Sequence, residues 1–249
     1  MTQPASQASM NSSRLVRLLA EISLTDGKGN QQNFGERLGN LIDFSNSIIL
    51  SAAHGELKGI DFEKRTHSAE KAKQEFLKVR STLVETIVKS TTLGSEDNRI
   101  KLPSAGSKTA QELKEYESFK RFYIAHQRAI DFKLEYLRLM LRDEVSGCSP
   151  KLAQLALLDT ALDDTLMNHT RRFFSALPHL LEKRFTYLRD QYFTEQANSQ
   201  QPQDWYLEGA WLHGFAKELQ SLLLAELEVR LQPVLGLLEA LNQEVETPK

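Results

Sequence analysis

The six histidines, His54, His67, His126, His169, His179 and His213, are where any metal or proton-transfer site in this chain would have to begin. A zinc-protease helix needs two histidines four residues apart, with a glutamate beside the first. No such pair occurs. A di-iron bundle needs a glutamate three residues before a histidine, twice over. Here those positions hold Ser51, Lys64, Tyr123, Leu166, Ala176 and Ala210, so no metal ligand set and no cofactor is expected. Asp159, Asp163 and Asp164 have the residue types of a magnesium–diphosphate site. Two of them are adjacent, though, and adjacent residues point about 100° apart on a helix. No second acidic motif answers them. The expected reading is a solvated face opposite Leu155, Leu158, Leu162 and Leu166.

The stretch Tyr123-Ile124-Ala125-His126-Gln127-Arg128 combines a phenol, an imidazole and a guanidinium. His126 could serve as a general base. No nucleophile or orienting carboxylate stands at a recognisable offset, which favours a buried or half-buried histidine bonded to a neighbouring helix. Arg172, Lys183 and Arg184 could outline a phosphate-binding stripe, with Phe173, Phe174, Phe185 and Tyr187 interleaved as on nucleic-acid surfaces. Glu182 and Asp190 dilute that field, and aromatics at such spacings usually belong to a core. Asp26-Gly27-Lys28-Gly29 lacks the first glycine and the Ser or Thr of a phosphate loop. No Gly-x-Ser-x-Gly elbow occurs, and Cys148 has no histidine nearby. The residues point to no catalytic group.

Composition agrees with that exclusion. The 249 residues are 41% hydrophobic and 26% charged, ordinary values for a globular chain. A formal charge of −2 argues against an electrostatic nucleic-acid binder. A single cysteine rules out an internal disulfide and suits a reducing compartment. Met1 to Ser13 has no apolar core and does not read as a signal peptide. No apolar run approaches the roughly 20 residues of a membrane span. The expectation is a cytoplasmic protein without membrane insertion.

The elements that must position these residues are helices throughout. Residues 1–11 read as a disordered tail, 12–90 as an N-terminal helical region, 91–108 as a Gly/Ser/Pro-containing linker and 109–246 as a long-helix bundle. Leu15, Leu18, Leu19 and Ile22 mark a first helix, capped by Ser12 or Ser13. Asn33 with Glu36 opens a second, carrying Phe34, Leu38, Leu41, Ile42 and Ile49. A third runs from about Thr66 to Ser90, with Phe76, Leu77, Leu83, Val84, Ile87 and Val88 as its apolar residues and burial needed only in its second half. Thr109 and Glu112 form a capping box for a helix extending to Gly147. Ser149-Pro150 restarts the chain as N-cap and first helical residue. Leu152, Leu155, Leu158, Leu162, Leu166, Phe173, Leu177 and Leu181 then form a coiled-coil-like seam. A last helix follows from about Trp211, and Pro178 and Pro233 are expected to kink or divide their helices. The predicted fold is all-α. It is a multi-helix bundle whose C-terminal half is a long antiparallel coiled-coil-like hairpin plus a third helix.

Five stretches carry a family resemblance when taken together. They are Ser13–Leu19, Phe34–Gly39, Ile49–Ala53, Tyr123–Arg128 and Leu180–Phe185. In order and spacing they resemble a proteobacterial family catalogued as a domain of unknown function, number 3348. The family segment near residues 41–47 usually carries tryptophans, where this chain has Leu41 and Phe44. The resemblance implies no catalytic residue and no cofactor. It implies an association with membrane subunits similar to flagellar-motor and Tol-type proton channels, and with outer-membrane-protein-A-like peptidoglycan binders. The expected role is a non-enzymatic accessory with a protein partner or self-association, peripherally linked to an envelope complex. Arg37, Tyr123, His126, Arg128, Arg172, Lys183 and Arg184 are the candidate interaction residues. The alternatives are a nucleic-acid-associated regulator and a helical enzyme centred on His126 or on Asp159–Asp164.

Overall fold

The structure is a computed structural model that describes residues 14–24, 55, 62–65, 68–92, 100–195 and 201–246. Among these residues there are six α-helices and no strand, so the all-α expectation holds. The helices are α1 (Arg14–Leu24), α2 (Ala69–Thr91), α3 (Ala110–Leu113), α4 (Glu117–Ser146), α5 (Pro150–Glu195) and α6 (Trp211–Glu246). A 3-10 turn, Asp204–Tyr206, precedes α6. The helix expected from Asn33, and with it Arg37, lies outside the described residues.

Local chemistry explains most of the boundaries. Thr109 and Glu112 do make the capping box: the Thr109 hydroxyl accepts from the Glu112 amide at 3.2 Å, and the Glu112 carboxylate accepts from the Thr109 amide at 2.9 Å. That backbone bond, with help from Lys108, draws the Glu112 carboxyl down to about 2. The helix so opened is a single turn, and this corrects the expectation of one helix from Thr109 to Gly147. Lys114 ends it. Its carbonyl accepts from the Arg189 guanidinium at 3.1 Å, and its ammonium lies 4.5 Å from the Phe193 ring centroid. Ser149 caps α5 through its hydroxyl, which accepts from the Leu152 amide at 3.3 Å, and Pro150 is the first helical residue. Gly147 lies close to Arg65: a Cβ there would sit 3.0 Å from the Arg65 side chain, which would have to shift by a few tenths of an ångström. Pro178 and Pro233 sit inside α5 and α6 and divide neither.

The chain separates into two compact units, each assembled from non-contiguous segments. Unit 1 takes residues 1–31, 83–130 and 174–229; unit 2 takes 32–82, 131–173 and 230–249. Neither is divided off at 91–108. Within unit 1, residues of that segment are packed: Leu102 is buried, its amide bonds the Ser90 carbonyl at 3.2 Å, and the Tyr206 hydroxyl donates to the Pro103 carbonyl.

Unit 1 has a dense aromatic interior. Phe185 of α5 lies 5.3 Å from Phe119 of α4, and 5.2 and 5.1 Å from Trp211 and Phe215 of α6, all tilted or edge-on. The α6 residues in this unit are buried on several faces, including Leu212, Leu219, Leu222, Leu223 and Leu227.

Unit 2 differs from the seam expected for α5. Leu162 is exposed and Leu155, Leu158 and Leu166 are half-buried, whereas Leu152, Ala153, Ala156, Ala161 and Thr165 are buried. Small residues line this part of the helix interface, and they allow the neighbouring backbone to approach closely. In the unit-2 part of α2, Ala72, Phe76 and Val79 are buried, so burial is not restricted to that helix's second half. Leu77, which was expected on the stripe, is 50% exposed.

Candidate functional site

Three clusters collect the residues with chemical capacity. The first is a polar group inside unit 1. Glu226 of α6 is completely buried. Its carboxyl accepts from the Tyr123 hydroxyl at 2.7 Å and from the Gln127 amide at 3.0 and 3.1 Å. The same Gln127 nitrogen lies 3.0 Å from the Phe174 carbonyl, so one side chain joins α4 to both α5 and α6. Tyr123 and Gln127 are four residues apart and therefore share a face of α4. Buried polar atoms with partners hold a unique arrangement, while one left unpaired costs about 1–3 kcal/mol.

His126 lies in the same unit at 1% exposure, with its Nε2 2.8 Å from the Ser90 hydroxyl. A serine–histidine contact of that length suggests nucleophilic catalysis. The local bonding argues otherwise. Ser90 Oγ also lies 3.0 Å from the Ile87 carbonyl, to which it donates. A hydroxyl has one proton. With that proton on Ile87, His126 completes the contact as the donor, from Nε2. Both side chains are buried, and among the described residues no carboxylate bonds the ring. Burial drives the imidazole pKa down to about 4, so it is neutral at pH 7. His126 is thus a satisfied core histidine, as the sequence suggested.

The second cluster lies in unit 2 and corrects an expectation. Asp159 and Asp163 do not form a solvated face. Arg138 and Arg142 of α4 bridge both of them: Arg138 bonds Asp159 at 2.7 and 2.9 Å, and Arg142 reaches Asp159 at 2.6 Å and Asp163 at 3.0 Å. Each pair is spaced i, i+4, so two arginines on one helix meet two aspartates on the next. All four arginine–aspartate pairings are made, so a closed ladder joins α4 to α5 within this unit. Burial alone would raise the Asp159 pKa, but the hydrogen bonds from Arg138 and Arg142 outweigh it and hold the carboxyl below its usual value. These carboxylates are committed to guanidinium groups, and only Asp164 of the three faces solvent. An open groove of about 520 Å³ nearby is lined by Arg65, Arg142, Asp143 and Ser146. Both of its guanidinium groups are engaged, Arg65 with Asp143 and Ser146, and Arg142 with the two aspartates. No group of residues among those described could hold a metal ion.

The aromatic–basic stripe does not assemble. Phe174 and Phe185 are buried in unit 1, and Arg184 bonds Glu218 at 2.8 Å while lying 5.6 Å from the Tyr187 ring. Lys183 is exposed on α5 beside His179, Tyr187 and Asp190, where an open groove of about 690 Å³ runs along the helix. Arg172 is exposed in unit 2. Of the candidate residues, Tyr123 and His126 turn inward, each to its own partners, and Arg128 faces solvent.

The third cluster was missed in the sequence. Phe132, Tyr136 and Leu139 of α4, all in unit 2, are 76%, 60% and 57% exposed. They recur at steps of four and three residues and share one face. A signal for them exists. Ile130, Leu134, Leu137 and Leu141 already supply the buried stripe of α4, so the second apolar series lies out of phase with the first. A helix that is apolar on two faces has more apolar surface than one core can absorb.

A family model described as a protein of unknown function, DUF3348, matches residues 1–243. The chain belongs to this family. The suspected kinship therefore extends over nearly the whole sequence. No curated protein matches the chain. No solved structure matches it either. No helix among the described residues is long and apolar enough to cross a membrane.

Proposed function

We propose that this chain is a non-enzymatic interaction protein that docks onto a protein partner through the outward face of α4. The observation that carries this reading is the series Phe132, Tyr136 and Leu139, three large apolar side chains presented to solvent on one helical face. Single exposed apolar residues need no explanation, but a contiguous series on one face marks a binding surface. Helix-in-groove recognition uses this i, i+4, i+7 pattern of anchors.

The polar clusters support the same reading. The groups a helical enzyme would have used are hydrogen-bonded within the fold, namely His126 with Ser90 and Asp159 with Arg138 and Arg142. The pairing of Arg184 with Glu218 and the burial of Phe185 weigh against the nucleic-acid alternative. We propose a cytoplasmic location, with a peripheral link to an envelope membrane complex as the setting that the family resemblance suggests.

The test is a photo-crosslinking amino acid at position 132, in cells that express the chain from its native context. The expected outcome is a discrete adduct from position 132 and none from exposed Lys151, used as control. Absence of an adduct from position 132 would remove the proposal.

A further inference from the structure

The exposed face of α4 is self-complementary, and we infer that it pairs antiparallel with the same face of a second copy of this chain. The inference rests on the proposed interaction role and names the partner. Ala125, Ala129, Phe132, Tyr136, Leu139 and Asp143 follow one another at alternating steps of four and three residues along α4. That is the seam spacing of two helices packed side by side at a shallow angle.

Charge decides the direction. Arg128 is exposed on this face and makes no ion pair among the described residues. Asp143, toward the other end, bonds Arg65 at 2.6 Å through one oxygen and remains 71% exposed. In the antiparallel register that sets Phe132 against Leu139 of the second copy, Arg128 faces Asp143 of the second copy. The two-fold axis then passes between Glu135 and Tyr136, and both pairs recur by symmetry. A parallel pair would set Arg128 against Arg128 and Asp143 against Asp143, placing like charges together.

The size of the patch sets the strength. A fully buried aromatic side chain covers about 150–250 Å². Two copies of this stripe therefore stay near the lower limit of specific interfaces, about 1,200 Å² in total. The pairing is a concentration-dependent dimer rather than an obligate one.

Sedimentation equilibrium of the full chain over a wide concentration range tests this directly. The expected result is a reversible monomer–dimer equilibrium that Phe132→Glu weakens by at least about tenfold, the worth of one buried anchor. Arg128→Glu weakens it less, and the loss shrinks as salt is raised. A Cys148→Ser background fixes the register. A short thiol-specific cross-linker should join Tyr136→Cys copies, and should join Phe132→Cys to Leu139→Cys faster than either to itself. A strict monomer, or a dimer indifferent to Phe132→Glu, overturns the pairing. If the chain is monomeric yet position 132 still gives a discrete adduct in cells, self-pairing fails and the interaction role stands. If position 132 gives no adduct and the chain is monomeric, both fail.

Discussion

Unit 1 turns most of its aromatic rings inward, and unit 2 presents Phe132 and Tyr136 to solvent. In unit 1 the rings of Phe119, Phe185, Trp211 and Phe215 pack against one another, and the only fully buried carboxylic side chain among the described residues, Glu226, is held by Tyr123 and Gln127. In unit 2 three alanines share the buried positions of α5 with Leu152 and Thr165, an arginine–aspartate ladder joins it to α4, and Phe132, Tyr136 and Leu139 face solvent. Helices α4, α5 and α6 contribute residues to both units, so the contrast lies within elements rather than between them. One part of a helix can thus be given to the core and another to a surface, and aromatic content alone does not tell them apart.

The comparison breaks most visibly if phenylalanines of the two units are exchanged for alanine. Phe185→Ala should lower stability by about 3–5 kcal/mol, the usual loss for a fully buried ring. Phe132→Ala should change it by less than about 0.5 kcal/mol, as for a surface substitution. Urea unfolding of the two variants measures both. Equal losses would place Phe132 in a core.

Acid separates the units next. His126 has a folded pKa of about 4 against 6.5 unfolded, so the unfolded chain binds the proton more readily. Its neutral form supports the fold fully above 6.5, and that support is lost as pH falls from 6.5 toward 4. The loss approaches about 3 kcal/mol, since each tenfold difference in proton affinity between the folded and unfolded chain is worth about 1.4 kcal/mol. In unit 2 Asp159 is depressed below its ordinary 3.8, so its contribution is present above that value and is lost only as pH falls further. Unfolding free energies measured from pH 7 to pH 3 should show the first loss in the wild type and not in His126→Gln.

Asp159→Ala leaves two largely buried guanidinium groups with Asp163 as their one shared carboxylate and should cost about 2–3 kcal/mol, less than a fully broken buried pair. Tyr123→Phe removes one hydrogen bond to a buried carboxyl and should cost about 1–2 kcal/mol. Tyr116→Phe is the smallest change. The Tyr116 hydroxyl is buried without a hydrogen-bond partner among the described residues, so its loss should be neutral or slightly stabilising. Thermal melts of the two tyrosine variants side by side would show whether position within unit 1 decides the sign.

How much of this was legible follows from the range of each signal. The capping box at Thr109 and the Ser149-Pro150 restart are local chemistry, and both stand in the structure. The α4 stripe of Tyr123, Ile130, Leu134, Leu137 and Leu141 is periodic and is buried throughout. Long-range contacts were invisible. The chain breaks at Lys114, a residue engaged by Arg189 and Phe193 from far along the sequence. Asp159 looked solvated because the arginines that answer it lie on another helix, and α5 buries its alanines more deeply than several of its leucines because side-chain size must fit the neighbour. The exposed series on α4 was hidden behind the stronger stripe that forms the core. A second, offset phase is readable once the first has been assigned to the interior.

The most direct test of this inward–outward division is a single preparation of Phe132→Glu, measured for both unfolding midpoint and self-association. Glutamate keeps good helix propensity, so the substitution changes the face and not the helix. The account predicts a midpoint close to the wild type together with loss of the dimer. A lowered midpoint with association intact would contradict it.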